Sequence, residues 1–163
     1  MRFQESRQWG IEIEFEFSHN DSHDEFAEKV VEAIRSRGVD VQNQIDRHFT
    51  PTLYREWKLV YDSSCGCELV SPPLRGQNGF NQVKAVIDAL HSVGATVSES
   101  CGLHVHHDAA GFSAVELARA IAIYVRYEEV IDQLVAPNRR ANSNGYCGSI
   151  AGNDREETLR DLS

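Results

Sequence analysis

Residues 9–17, Trp-Gly-Ile-Glu-Ile-Glu-Phe-Glu-Phe, alternate strictly between apolar and acidic side chains. A strand places successive side chains on opposite faces, so Ile11, Ile13, Phe15 and Phe17 share one face and Glu12, Glu14 and Glu16 the other. The apolar face predicts a core beneath it. The acidic face sets carboxylates about 7 Å apart along the strand, where they repel one another. Two explanations stand side by side. Either the face is solvated, or divalent cations absorb the repulsion.

The chain has 163 residues, of which 41% are hydrophobic, and one domain spanning 1–163 is the expectation. A net charge of −9 argues against general binding to nucleic acid or to an anionic membrane, since both require a basic face. Nucleotide phosphates would need metal ions and local arginines to offset that charge. No apolar run approaches the ~18 residues of a membrane span, and MRFQESRQW carries no apolar leader segment, so the cytoplasm is the expected location. In that compartment Cys65, Cys67, Cys101 and Cys147 are expected to be reduced, and their spacing departs from the usual zinc patterns.

Outward from the first strand, Ser22 and Glu25 fit a capping box, and Phe26, Val30, Val31 and Ile34 recur at helical spacing up to Gly38. Residues 39–45 alternate and read as a strand; 46–53 read as a loop in which Arg47 and His48 have no assignable role. Residues 55–61 and 66–71 read as strands joined by a tight turn, an antiparallel hairpin that Pro72-Pro73 stops. Glu68 lies within this second apolar run, either pointing outward or paired with a cation. A loop at 76–79 precedes a helix marked by Phe80, Val83, Val86, Ile87, Leu90 and Val93. Residues 95–99 read as a short strand.

The second informative stretch is Cys101-Gly-Leu-His-Val-His-His-Asp108. Leu103 and Val105 share one face with His107, while His104, His106 and Asp108 share the other; two imidazoles about 7 Å apart suit metal or phosphate ligation. Ser113 and Glu116 form another capping box, opening a helix to about Leu134 with Val115, Ala118, Ile121, Ala122, Val125 and Leu134 inward. The loop after Pro137 carries Arg139 and Arg140, able to clamp phosphate or carboxylate or simply to face solvent. Residues 148–163 form a polar tail ending on a short helix.

These elements predict an α+β fold, an antiparallel sheet with helices packed on one face. The other face would gather Glu12, Glu14, Glu68, His104 and His106. Hard carboxylate oxygens suit magnesium, and with an arginine loop they outline a phosphoryl-transfer site. A zinc hydrolase built on His104, His106 and Asp108 is an alternative, as is a non-catalytic relic that binds nucleotide.

In order, GIEIEFE, ELVSPPL, an alanine-containing strand, CGLHVH and PNRRAN resemble the amidoligase family, carboxylate–amine ligases with the glutamine synthetase and glutamate–cysteine ligase fold. The resemblance covers about residues 9–147. It implies a sheet that binds ATP and magnesium, phosphorylation of a substrate carboxylate, and displacement of the phosphate by an amine. It also implies Glu12, Glu14 and Glu68 as metal ligands, with His104 and His106 near a metal or the nucleotide phosphates. Arg139 and Arg140 would lie near the transferred phosphate. Glu16 falls beyond the shared Glu-x-Glu pair. Such ligases carry further strands after the arginine loop, and none is readable here; a naturally short form, a fragment, or an oligomer or partner chain completing the sheet would each account for that. The substrates implied are a carboxylate and an amine, as small molecules or peptides.

Overall fold

The computed structural model describes residues 6–17, 22–42, 55–63, 65–152 and 155–161, and it divides into two compact units, residues 1–108 and 109–163. The first unit is built on the strand β1 (Gln8–Phe15). On one side β1 pairs with β3 (Gly66–Val70), and β3 pairs with β2 (Lys58–Asp62) in the expected hairpin. On its other side β1 pairs with β5 (Leu103–His107). All these pairings are antiparallel and the sheet is open.

Pro72 and Pro73 interrupt β3 without ending its course along β1. The strand β4 (Leu74–Arg75) resumes pairing on the same side, with Trp9 opposite Leu74 and Glu12 opposite Val70. Three steps on β1 thus face four on its partner, which is a one-residue bulge. Ser71 completes the ladder there. Its backbone N–H donates to the Ile11 carbonyl at 2.9 Å, and its buried Oγ accepts from the Ile11 N–H at 2.8 Å. A proline at 71 would lack both the N–H that donates to Ile11 and the hydroxyl that accepts from it, so the serine just before the pair keeps the Ile11 backbone groups satisfied.

Two helices cover the apolar face. Helix α1 (His23–Arg35) starts at the expected capping box, with the Ser22 N–H donating to Glu25 and the Glu25 N–H donating to Ser22 Oγ. It buries Phe26, Ala27, Val30, Val31 and Ile34. Helix α2 (Gly76–Ser92) buries Val86, Ala89 and Leu90, and packs on α1 and on β4. Ile11, Phe15, Leu59, Cys67, Leu69 and Leu74 supply the sheet's share of this core, with Trp57 and Val41 beside them. Burying a side chain of this size contributes roughly 1.5–3 kcal/mol. That area is what holds β1 in its register.

Several expected boundaries move. Residues 76–79 are helix rather than loop: α2 begins at Gly76. Gly79 is there because the helix approaches the sheet closely. A Cβ at Gly79 would stand 2.9 Å from Leu74 Cβ and 3.0 Å from Trp9 Cζ2. The strand expected at 39–45 is reduced, within the described residues, to a single parallel bridge between Val41 and Trp57; residues 43–45, and the 46–53 loop with Arg47 and His48, lie outside them. Val39 and Val41 are both buried. The strand expected at 95–99 is likewise one bridge, Glu16 with Thr96.

The second unit contains α3 (Ala114–Ile131), a 3-10 turn at Asp132–Leu134, a second at Pro137–Arg139, and α4 (Arg155–Asp161). Ser113 caps α3 with Glu116 as the spacing predicts. Of the residues expected inward, Val125 is buried, Ala118 and Ala122 are half-buried, and Val115, Ile121 and Leu134 are exposed. The helix buries a carboxylate, Glu128, in their place.

Replacing Gly79 by alanine tests the close approach. An exposed helix would gain about 1 kcal/mol from that change; here the added methyl has no room, and overpacking of this kind costs roughly 1–3 kcal/mol. The expected outcome is a lower denaturation midpoint in urea. An unchanged or raised midpoint would show that α2 can withdraw from Leu74 without loss.

Candidate functional site

The site follows from the register of β1. Residues directly opposite one another across a ladder share a face. Glu14 stands opposite Glu68 on β3, and Glu12 opposite His104 on β5. Gly10 stands opposite His106. Five of the expected site residues, Glu12, Glu14, Glu68, His104 and His106, are therefore gathered on the face away from α1 and α2.

Their side chains meet. Glu12 lies between the two histidines, its Oε2 2.7 Å from His104 Nδ1 and its Oε1 3.1 Å from His106 Nε2. His104 Nε2 lies 3.7 Å from Glu14 Oε1. Among the described residues Glu12, Glu68 and His104 each offer a ligand atom within 4.8 Å of the others, close enough to share one metal ion. Asp108 is outside that group; it ends the β5 segment, where its N–H donates to the Gln8 carbonyl and its carbonyl accepts from Arg7. Glu16 is placed by its bridge to Thr96.

The glycine of CGLHVH has a definite task. The Gly102 N–H donates to Glu14 Oε2 at 2.6 Å, and the Glu14 N–H donates to the Gly102 carbonyl at 3.2 Å. A Cβ at position 102 would stand 3.1 Å from Glu14 Oε1, so a side chain there would push the carboxylate aside. The backbone bond fixes Glu14, which is mostly buried, while the histidines on β5 remain more than half exposed.

Burial and the crowding of negative charge act together on Glu68. Burial, then the charges of Glu12 and Glu14, push its carboxyl up to about 7, against a smaller opposing pull from His104. A carboxyl that resists ionisation among other carboxylates is a group whose charged form needs a cation. The donor set, hard oxygens with one imidazole, fits a magnesium or manganese ion.

Two features escape a reading of the sequence. Lys58 lies in β2 opposite Val70, which is itself opposite Glu12, so it shares the carboxylate face, and it is 1% exposed. Its signal was the alternation of KLVY, which sets Lys58 in phase with Val60 and against Leu59. The thiol of Cys65 is the other: burial, and then the carboxylates of Glu14 and Asp62, hold it well above the ordinary thiol range. Cys67 is pushed up to about 11 by burial. All four cysteines are free.

Arg139 and Arg140 belong to the second unit. Arg139 closes the 3-10 turn Pro137–Arg139, and Arg140 is half-buried, its Nε enclosed with no acceptor among the described residues.

A family model described as "putative amidoligase enzyme" matches residues 5–162, nearly the whole chain. No curated protein and no solved structure matches the chain. Among the described residues no helix is long and apolar enough to cross a membrane.

The pH dependence of stability tests the carboxylate cluster. In chelator, the folded chain keeps the Glu68 proton up to about pH 7, whereas the unfolded chain releases it near the ordinary value of 4.5. The folded state then binds more protons, so stability falls as pH rises through that window and levels off above it. Glu68→Gln removes this dependence, and the difference between variant and wild type should grow from pH 5 to pH 8 in favour of the variant. Parallel curves for the two proteins would show that Glu68 ionises without resistance.

Proposed function

The chain belongs to the amidoligase family, and from that membership we propose that it is an ATP- and magnesium-dependent ligase that joins a carboxylate to an amine. The observation that carries this reading is the cluster of Glu12, Glu68 and His104 ligand atoms within 4.8 Å on one sheet face. The antiparallel open sheet, with α1 and α2 on the face opposite the carboxylates, supports a glutamine synthetase-like arrangement.

In this reading Glu12, Glu14, Glu68 and His104 hold magnesium. His106, bonded to the second oxygen of Glu12, orients that carboxylate and faces the nucleotide phosphates. Bound magnesium–ATP would supply the phosphoryl group that activates the substrate carboxylate, leaving ADP, and the amine would then displace phosphate to form the amide. The chain's own part is placement and charge. The Gly102 N–H keeps Glu14 in position without occupying the space in front of it. To Arg139 and Arg140 we assign the phosphate oxygens, which a guanidinium binds through two parallel N–H bonds. The enclosed Arg140 Nε–H is a donor that an anion would satisfy.

Thermal stabilisation by magnesium–ATP tests the proposal. A ligand present at about a hundred times its Kd stabilises the folded state by roughly 2.7 kcal/mol. The expected result is a magnesium-dependent rise in Tm of several degrees that Glu12→Gln abolishes. ADP release that requires both an acid and an amine from a panel would complete the case. A wild-type Tm indifferent to magnesium–ATP, or a rise that Glu12→Gln retains, would sink it.

A further inference from the structure

The loop that carries the two arginines is held by carboxylates instead of an apolar core. Glu128, on α3, is 3% exposed, and both its oxygens are used: Oε2 accepts from Ser149 Oγ–H at 2.7 Å and Oε1 from the Ile150 N–H at 2.9 Å. One helical turn on, Asp132 Oδ2 accepts from the Ala141 N–H at 3.0 Å. The two acids therefore grip residues 141–150 near both ends.

Between those anchors the loop is tightly built. Asn142 adopts a φ of 61°, a left-handed conformation costly for a residue with a side chain. It persists because the Asn142 N–H donates to the Cys147 carbonyl at 2.6 Å and its Oδ1 accepts from the Ser149 N–H at 3.0 Å. Asn144 adds bonds from its side chain to the Asn138 carbonyl and from the Tyr146 N–H to its own Oδ1. The segment just before Ala141 is Arg139-Arg140.

We propose that Glu128, assisted by Asp132, is a positioning residue that sets the arginine loop in its phosphate-binding conformation. The assignment rests on the ligase reading, in which Arg139 and Arg140 take phosphate oxygens. A buried carboxylate is costly unless its oxygens are bonded. Those of Glu128 are bonded to loop residues 21 and 22 positions on, so its burial and the loop's conformation stand or fall together. Among the described residues of this unit the buried apolar side chains are Val125 and Ala151, too few to order a loop of this length by packing. Charge-assisted hydrogen bonds do it, and they leave the arginine segment preorganised so that little ordering remains at the moment of binding.

The test compares wild type, Glu128→Gln, Ser149→Ala and Arg139→Ala in two titrations of the full chain. One measures magnesium–ATP by calorimetry; the other measures manganese alone, standing in for magnesium, by electron paramagnetic resonance. Loss of one charge-assisted bond should weaken magnesium–ATP by about tenfold in Glu128→Gln and by less in Ser149→Ala. Manganese affinity should stay at the wild-type value, because its ligands lie in the other unit. Amide hydrogen exchange at Ala141 and Ile150 should accelerate in both variants. Wild-type magnesium–ATP affinity in both loop variants, or magnesium–ATP and manganese affinities falling together, would overturn the assignment. Arg139→Ala separates the two readings. If it leaves magnesium–ATP binding unchanged, the phosphate role fails and the positioning role with it; if it weakens binding while Glu128→Gln and Ser149→Ala do not, only the positioning role fails.

Discussion

Everything at the carboxylate face depends on the core holding β1 in register. Ile11 and Phe15 are buried beneath α1 and α2, and a slip of one residue would carry them to the other face and bring the glutamates in. The loss of that apolar burial exceeds any relief from separating the acids. Glu12, Glu14 and Glu68 are thus kept together by a force that has nothing to do with them. Burial first, and then the charges of Glu12 and Glu14, raise the carboxyl of Glu68. A cation can then be bound by a set of ligands that is already assembled and electrostatically in need of it.

The same constraint explains why Gly102 and Ser71 occur where they do. The backbone on either side of β1 must come close to it without adding bulk to the face. On the β5 side Gly102 leaves room for the Glu14 carboxylate and gives it an N–H. On the β3 side Ser71 keeps Ile11 bonded across the bulge, its N–H donating to the Ile11 carbonyl and its Oγ accepting from the Ile11 N–H, and β4 resumes pairing against Trp9. Neither residue does chemistry. Each makes an irregularity compatible with a fixed central strand.

What could be read from the sequence was local or periodic. Strand β1, helix α1 with its capping box, the β2–β3 hairpin and the His104/His106 pair all announce themselves within about ten residues, and their faces follow from alternation. The gathering of Glu12, Glu14, Glu68, His104 and His106 was legible for the same reason, since antiparallel neighbours share faces. What escaped depends on partners far away in the chain. Among the described residues Val39 and Val41 alternate into the core with one bridge, Val41 to Trp57, and periodicity alone does not name the partner. Gly79 looked like a loop glycine, whereas its reason is Trp9 and Leu74. The alternation of KLVY sets Lys58 in phase with Val60 but carries no sign of its burial.

Glu128 is the clearest such case. Glu128 and Glu129 are adjacent on α3, yet one of the two is buried and the other exposed. The difference lies in residues 149 and 150, whose Oγ–H and N–H bond both oxygens of Glu128. Order produced this way differs in kind from that of the first unit. A packed core resists local opening in proportion to the area it buries, while a few hydrogen bonds, each worth roughly 1 kcal/mol net, give a loop that opens more readily than the sheet. The division suits the two halves of the proposed chemistry. Metal ligands gain from rigidity imposed by the core. A loop proposed to take phosphate gains from anchors that are specific in geometry but modest in strength.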